Sequence, residues 1–262
     1  MPLTDRDLLA HVVSSRLAGR VATPSSNSLR NAARLVDGDP DCTMGLSDWR
    51  DADIGEVLAA VHAAGGRELD AEGAEHPDGG YIEPQATLEG IATHRRVLAD
   101  FLASGPGRVL VATGHPSLLR HYAALAKALA SAGCAVVRPL EGAENGLTTP
   151  EGRPCSIGYV EGVALLTYDG REHHTHRSSY MEAMLQAIGG RTGVDLVIAD
   201  HGYAGAAIEA GIDTLSIADI NDPALPLAQA RRRTTGVLLI DDGLDPSLFV
   251  PVTKAVLAGV AG

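Results

Sequence analysis

RVLVATGHPSLLRHY, at residues 108–122, joins a short apolar run, a polar turn and an amphipathic segment. The run from Val109 to Ala112 is rich in β-branched residues, as in a strand that is buried on both faces. Pro116 suits the first turn of a helix, and apolar residues then recur at helical spacing from Leu118 to Leu129. The pattern predicts a strand, a tight turn and a helix.

The turn at residues 113–117 would lie at the carboxyl end of the strand and the amino end of the helix. Free backbone N–H groups and the positive end of the helix dipole favour an anion such as phosphate at that point. Thr113, His115 and Ser117 add side-chain donors, and Gly114 allows a ligand to approach the backbone closely. A polar connection without a ligand would have the same composition, so both interpretations stay open here.

Composition limits the class of protein. The chain has 262 residues, 45% of them hydrophobic, which is enough for one large α/β domain or for one domain with a helical extension. A net charge of −12 without a basic run argues against nucleic acid as a partner. No signal-peptide pattern or membrane-length apolar run occurs, so we expect a cytoplasmic protein with no membrane partner. Cys42, Cys134 and Cys155 are widely spaced, as is typical of reduced thiols.

The two parts of the chain differ in their predicted secondary structure. Residues 1–105 form a mainly helical N-terminal region, with predicted helices at 5–17, 29–36, 53–64 and 84–105 and a polar loop at 21–28. Residues 106–262 alternate predicted strands, at 109–113, 134–138, 156–160, 163–168, 195–199, 214–218 and 237–240, with predicted helices. This alternation predicts an α/β fold with a doubly wound, mostly parallel, Rossmann-like sheet. We expect the helical extension and the α/β part to form one compact unit, and the loop at 141–155 is long enough to act as a flap.

Polar residues follow four of the predicted strands. The clusters are Thr113-Gly114-His115, Asp200-His201-Gly202, Asp219 to Asp222, and Asp241-Asp242. One such aspartate is commonly only a helix cap. If the strands are parallel, however, all four clusters share one edge of the sheet, where acids, imidazoles and amide donors would form a catalytic pocket.

Two chemistries fit these residues. In the first, a divalent metal such as Mg²⁺, Mn²⁺ or Zn²⁺ polarises a phosphoryl oxygen and activates water, and its ligands come from Asp200, Asp219 and Asp222 with His201 or His176. In the second, no metal is used and His115 or His201 serves as acid, base or nucleophile. The pair His174 and His176 would place both rings on one side of an extended segment, which suits metal binding but is equally compatible with a surface turn.

Several common motifs are absent from the sequence. It contains neither the Gly-x-x-x-x-Gly-Lys-Ser/Thr phosphate loop nor a Gly-x-Gly-x-x-Gly turn, so no nucleotide cofactor is predicted. It also lacks the Gly-x-Ser-x-Gly elbow of α/β-hydrolases.

Five segments together carry a resemblance to a known family. They are VATP at 21–24, ATGHP at 112–116, HTH at 174–176, DLVIADHG at 195–202 and ADINDPA at 218–224. In order and spacing they resemble, over nearly the whole chain, a group of actinobacterial proteins classed as phosphatases. The resemblance implies phosphomonoester hydrolysis, with a pocket formed by Thr113, Gly114, His115, Asp200, His201, Asp219, Asn221 and Asp222.

The sequence differs from that family at two places. Ser25 and Ser26 precede Asn27, where the family carries an arginine and an acid, and Ser117-Leu118-Leu119 replaces a glycine-rich turn. If the family's arginine binds the substrate phosphate, another arginine must do so here, and the candidates are Arg30, Arg138 and Arg231 to Arg233.

We therefore expect a phosphatase that acts on a small phosphorylated metabolite. The expected catalytic residues are His115, Asp200 and His201, the expected substrate-binding residues are Thr113, Gly114, Ser117, Asn27, Asn221 and His176, and the expected metal ligands are Asp200, Asp219 and Asp222. A non-hydrolytic phosphosugar- or nucleotide-binding protein or isomerase is the alternative, and a regulatory relic without chemistry is a third hypothesis. Because two-fold assemblies are common, we also expect a homodimer.

Overall fold

The computed structural model describes residues 4–69, 79–143, 146–258 and residue 260. Within these ranges the α-helices are α1 (Asp5–Ser14), α2 (Ser25–Val36), α3 (Pro40–Thr43), α4 (Ile54–Ala63), α5 (Pro84–Ala103), α6 (Leu119–Ser131), α7 (Ser179–Ala187), α8 (His201–Glu209), α9 (Ala224–Ala230) and α10 (Val250–Leu257). The strands are β1 (Gly19–Arg20), β2 (Tyr81–Ile82), β3 (Arg108–Thr113), β4 (Ala135–Val136), β5 (Ser156–Val160), β6 (Val163–Tyr168), β7 (Arg171–His173), β8 (Leu196–Asp200), β9 (Thr214–Ala218) and β10 (Gly236–Leu239). Short 3-10 helices lie at Asp48–Asp51, Pro116–Leu118, Gly190–Thr192 and Pro246–Phe249.

A mostly parallel sheet forms the centre of this mixed α/β fold. Its strands follow the order β10-β9-β8-β3-β6-β5, with β4 beside β3 and β7 beside β6. The pairs from β10 to β6 are parallel, whereas β5 and β7 run antiparallel to β6. Because β3, β8, β9 and β10 are parallel neighbours, the residues that follow them emerge at the same edge of the sheet.

The central strands are buried on both faces. Every residue from Val109 to Thr113 is at most 1% exposed, and β8 and β9 are buried along their whole length. Helix α10 contacts both α5 and α6, and helix α8 contacts both α7 and α9. Burial of the strand on both faces explains why β3 is a continuous apolar run and not an alternating pattern.

The first 105 residues contact the last strand of the sheet. Helix α5 packs on β10, and the Thr87 hydroxyl donates a 3.0 Å hydrogen bond to the carbonyl oxygen of Leu239. The ring of His94 hydrogen-bonds the Gly236 carbonyl oxygen over 2.8 Å. In the described ranges, no helix is both long enough and apolar enough to cross a membrane.

Some predicted boundaries were wrong. The predicted loop at 21–28 contains the first turn of α2, which begins at Ser25 because Pro24 has the extended backbone of a helix cap and the Ser25 hydroxyl bonds the Gly79 carbonyl. The predicted strand at 134–138 shrinks to β4, since only Arg108 and Val109 of β3 pair with it. The β1–β2 pair, β7 and α3 were not predicted, since each spans only two to four residues. The three cysteines are free thiols, as expected.

Acid should destabilise the fold partly through His94. Burial lowers the pKa of its imidazole to about 4, so the folded chain binds fewer protons than the unfolded chain between that value and an unfolded pKa of about 6.5. Stability is therefore lost as pH falls through this window, and His94→Gln should reduce the loss between about pH 6.5 and pH 4.5 by ~2 kcal/mol. Urea unfolding at both pH values measures this loss.

The exposed His62 provides the control. His62→Gln should leave the pH dependence of unfolding unchanged. An equal effect of the two substitutions would contradict the assignment to the buried ring.

Candidate active site

Asp200 connects several residues at the sheet edge where the parallel strands end. It closes β8, is fully buried, and accepts hydrogen bonds from the Thr113 hydroxyl at 2.6 Å and from the Gly114 N–H of the neighbouring β3 turn. It also accepts from Nδ1 of His201 over 3.0 Å. The carboxylate therefore ties two strand ends together and orients an imidazole ring.

His201 stands at a strained elbow between β8 and α8. Its φ of 47° lies in the left-handed region, which costs a non-glycine residue of order 1–3 kcal/mol. Since Nδ1 donates to Asp200, Nε2 carries a lone pair when the ring is neutral. That nitrogen lies 3.5 Å from a carboxylate oxygen of Asp222 and 3.7 Å from one of Asp242.

Buried acids surround this single imidazole. Those with at most 5% exposure at the strand ends are Asp200, Asp219, Asp222, Asp241 and Asp242. Burial opposes protonation of His201, but the carboxylates of Asp222, Asp200 and Asp242 outweigh it and raise the pKa of His201 to about 10. Burial and the neighbouring carboxylates raise the pKa of Asp242 well above its usual range. The edge therefore favours a bound cation.

Two carboxylate oxygens in this group have no hydrogen-bond partner among the described residues. They are Oδ1 of Asp222 and Oδ2 of Asp242, both buried. Leaving such a group unpaired costs roughly 1–3 kcal/mol, and more when it is charged. The other strand-end acids differ, because Asp241 accepts from the N–H groups of Ala22 and Gly243.

Three further histidines converge on His201. The segment after β7 is held across the end of β3 by a 2.9 Å hydrogen bond from the Thr175 N–H to the Gly114 carbonyl oxygen. It brings the ring centroids of His174 and His176 to 5.1 and 4.5 Å from that of His201. Nδ1 of His176 lies 3.0 Å from the Asp41 carbonyl oxygen and must donate to it, which leaves Nε2 as the acceptor.

Two overlapping triads could hold a metal. In each of His174–His176–His201 and His201–Asp222–Asp242, one ligand atom per residue lies within 4.8 Å of the others. His201 belongs to both triads; the second consists of buried residues, whereas His174 and His176 of the first are more accessible.

His115 reaches the same centre from the β3 turn. Its ring centroid lies 4.5 Å from that of His174, and its Nδ1 lies 2.6 Å from the Ser117 hydroxyl oxygen. Because that hydroxyl donates to the backbone carbonyl of Asp242, it accepts from Nδ1–H of His115. Nε2 of His115 is then the nitrogen that can take up a proton.

The structure brings most of the predicted site residues together, but gives some of them other partners. Thr113 and Gly114 donate to Asp200, which thereby uses both carboxylate oxygens. Asp219 accepts from the Thr23 hydroxyl and, over 2.7 Å, from the Ile220 N–H. Of the three predicted metal ligands, only Asp222 belongs to a triad that could hold a metal.

The remaining predicted substrate-binding residues, Asn27 and Asn221, belong to α2 and to the turn after β9. The carbonyl oxygen of Asn221 accepts a 2.8 Å hydrogen bond from the Asn31 amide of α2. Asn27 lies in the first turn of the same helix and is half-buried. Asp242 and His174 were not among the predicted site residues. The signals for them were the second acid after β10 and the His-x-His spacing.

A pocket of about 410 Å³ opens beside the histidines. Its walls come from α2 and α3, from the tip of the loop predicted as a flap, and from the segment after β7. The lining includes Arg34, Asp41, Thr149, Glu151, His174, His176 and Arg177.

The arginines proposed from sequence lie elsewhere. Arg231 pairs with Asp51 and Glu56, and Arg233 pairs with Asp48 and Glu209. Arg138 pairs with Glu141. Arg30 is exposed on α2, and Arg232 lines a different pocket, at the opposite end of β8 to β10.

Fold and site together define an α/β protein with a buried aspartate and histidine centre beside a polar pocket. The chain belongs to the family described as Phosphatase, which matches residues 3–261. A protein of Streptomyces coelicolor named phosphatase SCO2771 is 37% identical over 264 residues, covering 96% of this chain and 94% of that protein. No solved structure matches the chain. The family resemblance found in the sequence is confirmed.

Close packing at Gly114 should be essential to the centre. A Cβ atom there would lie 2.4 Å from the Thr175 carbonyl oxygen and 3.1 Å from Asp200. Gly114→Ala should therefore displace the histidine segment and lower the free energy of unfolding by about 1–3 kcal/mol, as overpacking does. Chemical denaturation measures the change.

Gly55→Ala in α4 is the matched control. The nearest atom to its added Cβ is an oxygen of the Asp53 side chain, which can move, and alanine favours a helix. Equal stability of Gly114→Ala and the wild type would contradict the close approach at Gly114.

Proposed function

We propose that this protein is a phosphoric monoester hydrolase that releases phosphate from a small metabolite at the carboxyl edge of the sheet, with the help of a divalent metal. The observation that carries the proposal is the pair of buried carboxylates, Asp222 and Asp242, whose Oδ2 atoms face Nε2 of His201. Each of the two carboxylates also has an oxygen without a hydrogen-bond partner among the described residues, Oδ1 in Asp222 and Oδ2 in Asp242. Membership of a phosphatase family supports the reaction class.

Spacing at the centre fits metal ligands better than an ion pair. Two ligand atoms bonded at about 2.1 Å in tetrahedral geometry lie about 3.4 Å apart. The distances of 3.5 and 3.7 Å from His201 to Asp222 and Asp242 are close to that value and longer than a good N–H···O hydrogen bond. In the alternative without a metal, a protonated His201 would balance the charge of the acids. The contacts from its Nε2 to Asp222 and Asp242 would then be longer than good hydrogen bonds.

The tautomers of two rings also support metal binding. Nδ1–H of His201 donates to Asp200 and Nδ1–H of His176 donates to the Asp41 carbonyl, so each ring offers Nε2. Such outer hydrogen bonds are the usual support of metal-binding histidines. A mixed set of imidazoles and carboxylates favours Zn²⁺ or Mn²⁺ over Mg²⁺, which prefers oxygen ligands.

Each residue then has a definite task. Asp222, Asp242 and His201 would hold the cation, and His174 and His176 would line the more accessible side of the site. A bound divalent cation supplies polarisation of a phosphoryl oxygen and a water of lowered pKa. His115, oriented through Ser117, takes a proton at Nε2. Asp200 is a positioning residue, kept in place by Thr113 and Gly114.

The finer fold assignments belong to the same proposal. We propose a doubly wound, Rossmann-like sheet with a switch point between β3 and β8, because the chain adds β4 on one side of β3 and β8 to β10 on the other. We also propose that the mainly helical residues 1–105 and the α/β part, 106–262, form one compact unit. The support is the packing of α5 on β10.

Metal and activity should disappear together in Asp242→Asn. Wild-type protein loaded with Zn²⁺ or Mn²⁺ should release phosphate from some of a panel of small phosphomonoesters and should retain metal after dialysis. The substitution removes a ligand, so metal affinity and kcat/KM should fall by more than the roughly 10–100-fold typical of supporting residues. In Asp200→Asn, the loss of metal affinity and of kcat/KM should stay within that 10–100-fold range. Phosphate release and elemental analysis provide the two readouts.

Asp169→Asn is the matched control, because Asp169 is 77% exposed and its nearest cation, Arg153, lies 4.0 Å away. Full activity of chelator-treated wild type or of Asp242→Asn would refute the metal-assisted mechanism. Ligand-induced thermal shifts without any turnover would instead favour the alternative, a phosphosugar- or nucleotide-binding protein or isomerase.

The cytoplasmic location and the homodimer remain predictions. Sedimentation at micromolar concentration should give twice the mass of one 27.1 kDa chain. A single-chain mass would refute the dimer.

A further inference from the structure

The pocket beside the histidines lies between parts of the chain that are distant in sequence. Asn31 and Arg34 reach it from α2, Thr149 to Glu151 from the loop after β4, and His174 to Arg177 from the segment after β7. His174 and His176 belong both to the pocket wall and to a triad that could hold a metal. A molecule in the pocket therefore lies against the accessible side of the proposed metal centre.

Two cationic side chains line this pocket. Arg34 approaches Asp39 through Nε and Nη2, at 3.0 and 2.9 Å. Arg177 approaches Asp41 through Nε at 2.8 Å. A guanidinium group has five N–H donors in a planar fork, so one carboxylate oxygen does not exhaust either side chain. The fork also matches the oxygens of a phosphate group, to which arginine often binds in a bidentate manner.

The structure assigns Arg34 and Arg177 as an anion clamp that binds the phosphoryl group of the substrate opposite the histidines. This inference rests on the proposed function, since it concerns the same site. Asp39 keeps the fork of Arg34 in place before the substrate arrives, because its carboxylate contacts both Nε and Nη2. Asp41 contacts Arg177 through Nε alone, so its charge competes with an anion for that guanidinium group.

The chain's other arginine clusters do not fit this task. Arg231 contacts three acids, Asp48 at 3.8 Å, Asp51 at 2.6 Å and Glu56 at 2.8 Å, and joins the end of α9 to α4 and the preceding 3-10 helix. Arg233 is engaged in the same way by Asp48 and Glu209. These pairs connect elements of the fold, whereas Arg34 and Arg177 share a pocket with the proposed metal ligands.

The size of the pocket limits the class of substrate. Its volume of about 410 Å³ lies near the lower end of the roughly 300–1,000 Å³ that is typical of small-molecule sites. Thr149 to Glu151 close one side, and the Thr149 hydroxyl is held by Glu151 at 2.8 Å. A cavity of this volume fits a phosphorylated small molecule.

Binding of inorganic phosphate tests the clamp independently of hydrolysis. Calorimetric titration of phosphate into metal-loaded protein should give an affinity that falls about 10-fold or more in Arg34→Gln and in Arg177→Gln, since each loses a charge-assisted contact. Metal content and thermal midpoint should stay unchanged, because both ion pairs lie in partly exposed positions. Arg191→Gln, in the exposed 3-10 helix Gly190–Thr192, is the matched control and should bind phosphate like the wild type.

Asp41→Asn adds a test in which phosphate affinity should rise. Asp41 competes with phosphate for Arg177, so its neutralisation should tighten phosphate binding, while the backbone carbonyl that holds His176 stays in place. Unchanged or weaker binding in this variant would overturn the role of Arg177, even if a glutamine variant failed to fold.

The outcomes distinguish a failure of the anion clamp from a failure of the proposed hydrolase function. Phosphate binding that depends on both arginines, in a protein that hydrolyses no phosphomonoester, would support the clamp and refute the proposed function. Hydrolysis with phosphate affinity unaffected by Arg34→Gln and Arg177→Gln would overturn the clamp and leave the function intact. Wild-type protein that binds no phosphate would overturn the clamp as well.

Discussion

The hydrogen bond between the Asp200 carboxylate and Nδ1 of His201 is the interaction on which the rest of the edge depends. It fixes the tautomer of the ring and turns Nε2 toward Asp222 and Asp242. The same carboxylate holds the β3 turn through Thr113 and Gly114. One buried charge thus determines both where two strands end and which nitrogen faces the pocket.

This arrangement is costly for folding. Several carboxylates are buried around one imidazole, and His201 adopts a left-handed backbone conformation at the head of α8. Unpaired buried acids and strained non-glycine residues both destabilise a fold, and they occur mainly where a function requires them. The apolar strands β3, β8 and β9, buried on both faces, offset that cost.

Sequence patterns predicted the parts of the molecule that local chemistry controls. Strands β5, β6 and β9 begin and end at the predicted residues, because apolar runs and glycine turns bound them. The gathering of Thr113, Asp200 and Asp222 followed from parallel strands that share an edge. Arg34 and Arg177 could not be found in this way, since they reach the pocket from α2 and from the segment after β7, and no local pattern encodes how those elements meet. Nor does the sequence reveal that both carboxylate oxygens of Asp200 accept hydrogen bonds from the end of β3, whereas Oδ2 of Asp242 has no hydrogen-bond partner among the described residues.

The position of β10 at the end of the sheet path has a consequence for biosynthesis. Asp242 follows this strand, whose neighbours are β9 and α5, so it joins the centre only after a late segment of the chain has paired with elements made earlier. A nascent chain that has folded as far as β9 already has the pocket walls and the histidines but lacks one of the two unpartnered carboxylates. The group of His201, Asp222 and Asp242 is therefore complete only after β10 has been synthesised and has added to the sheet.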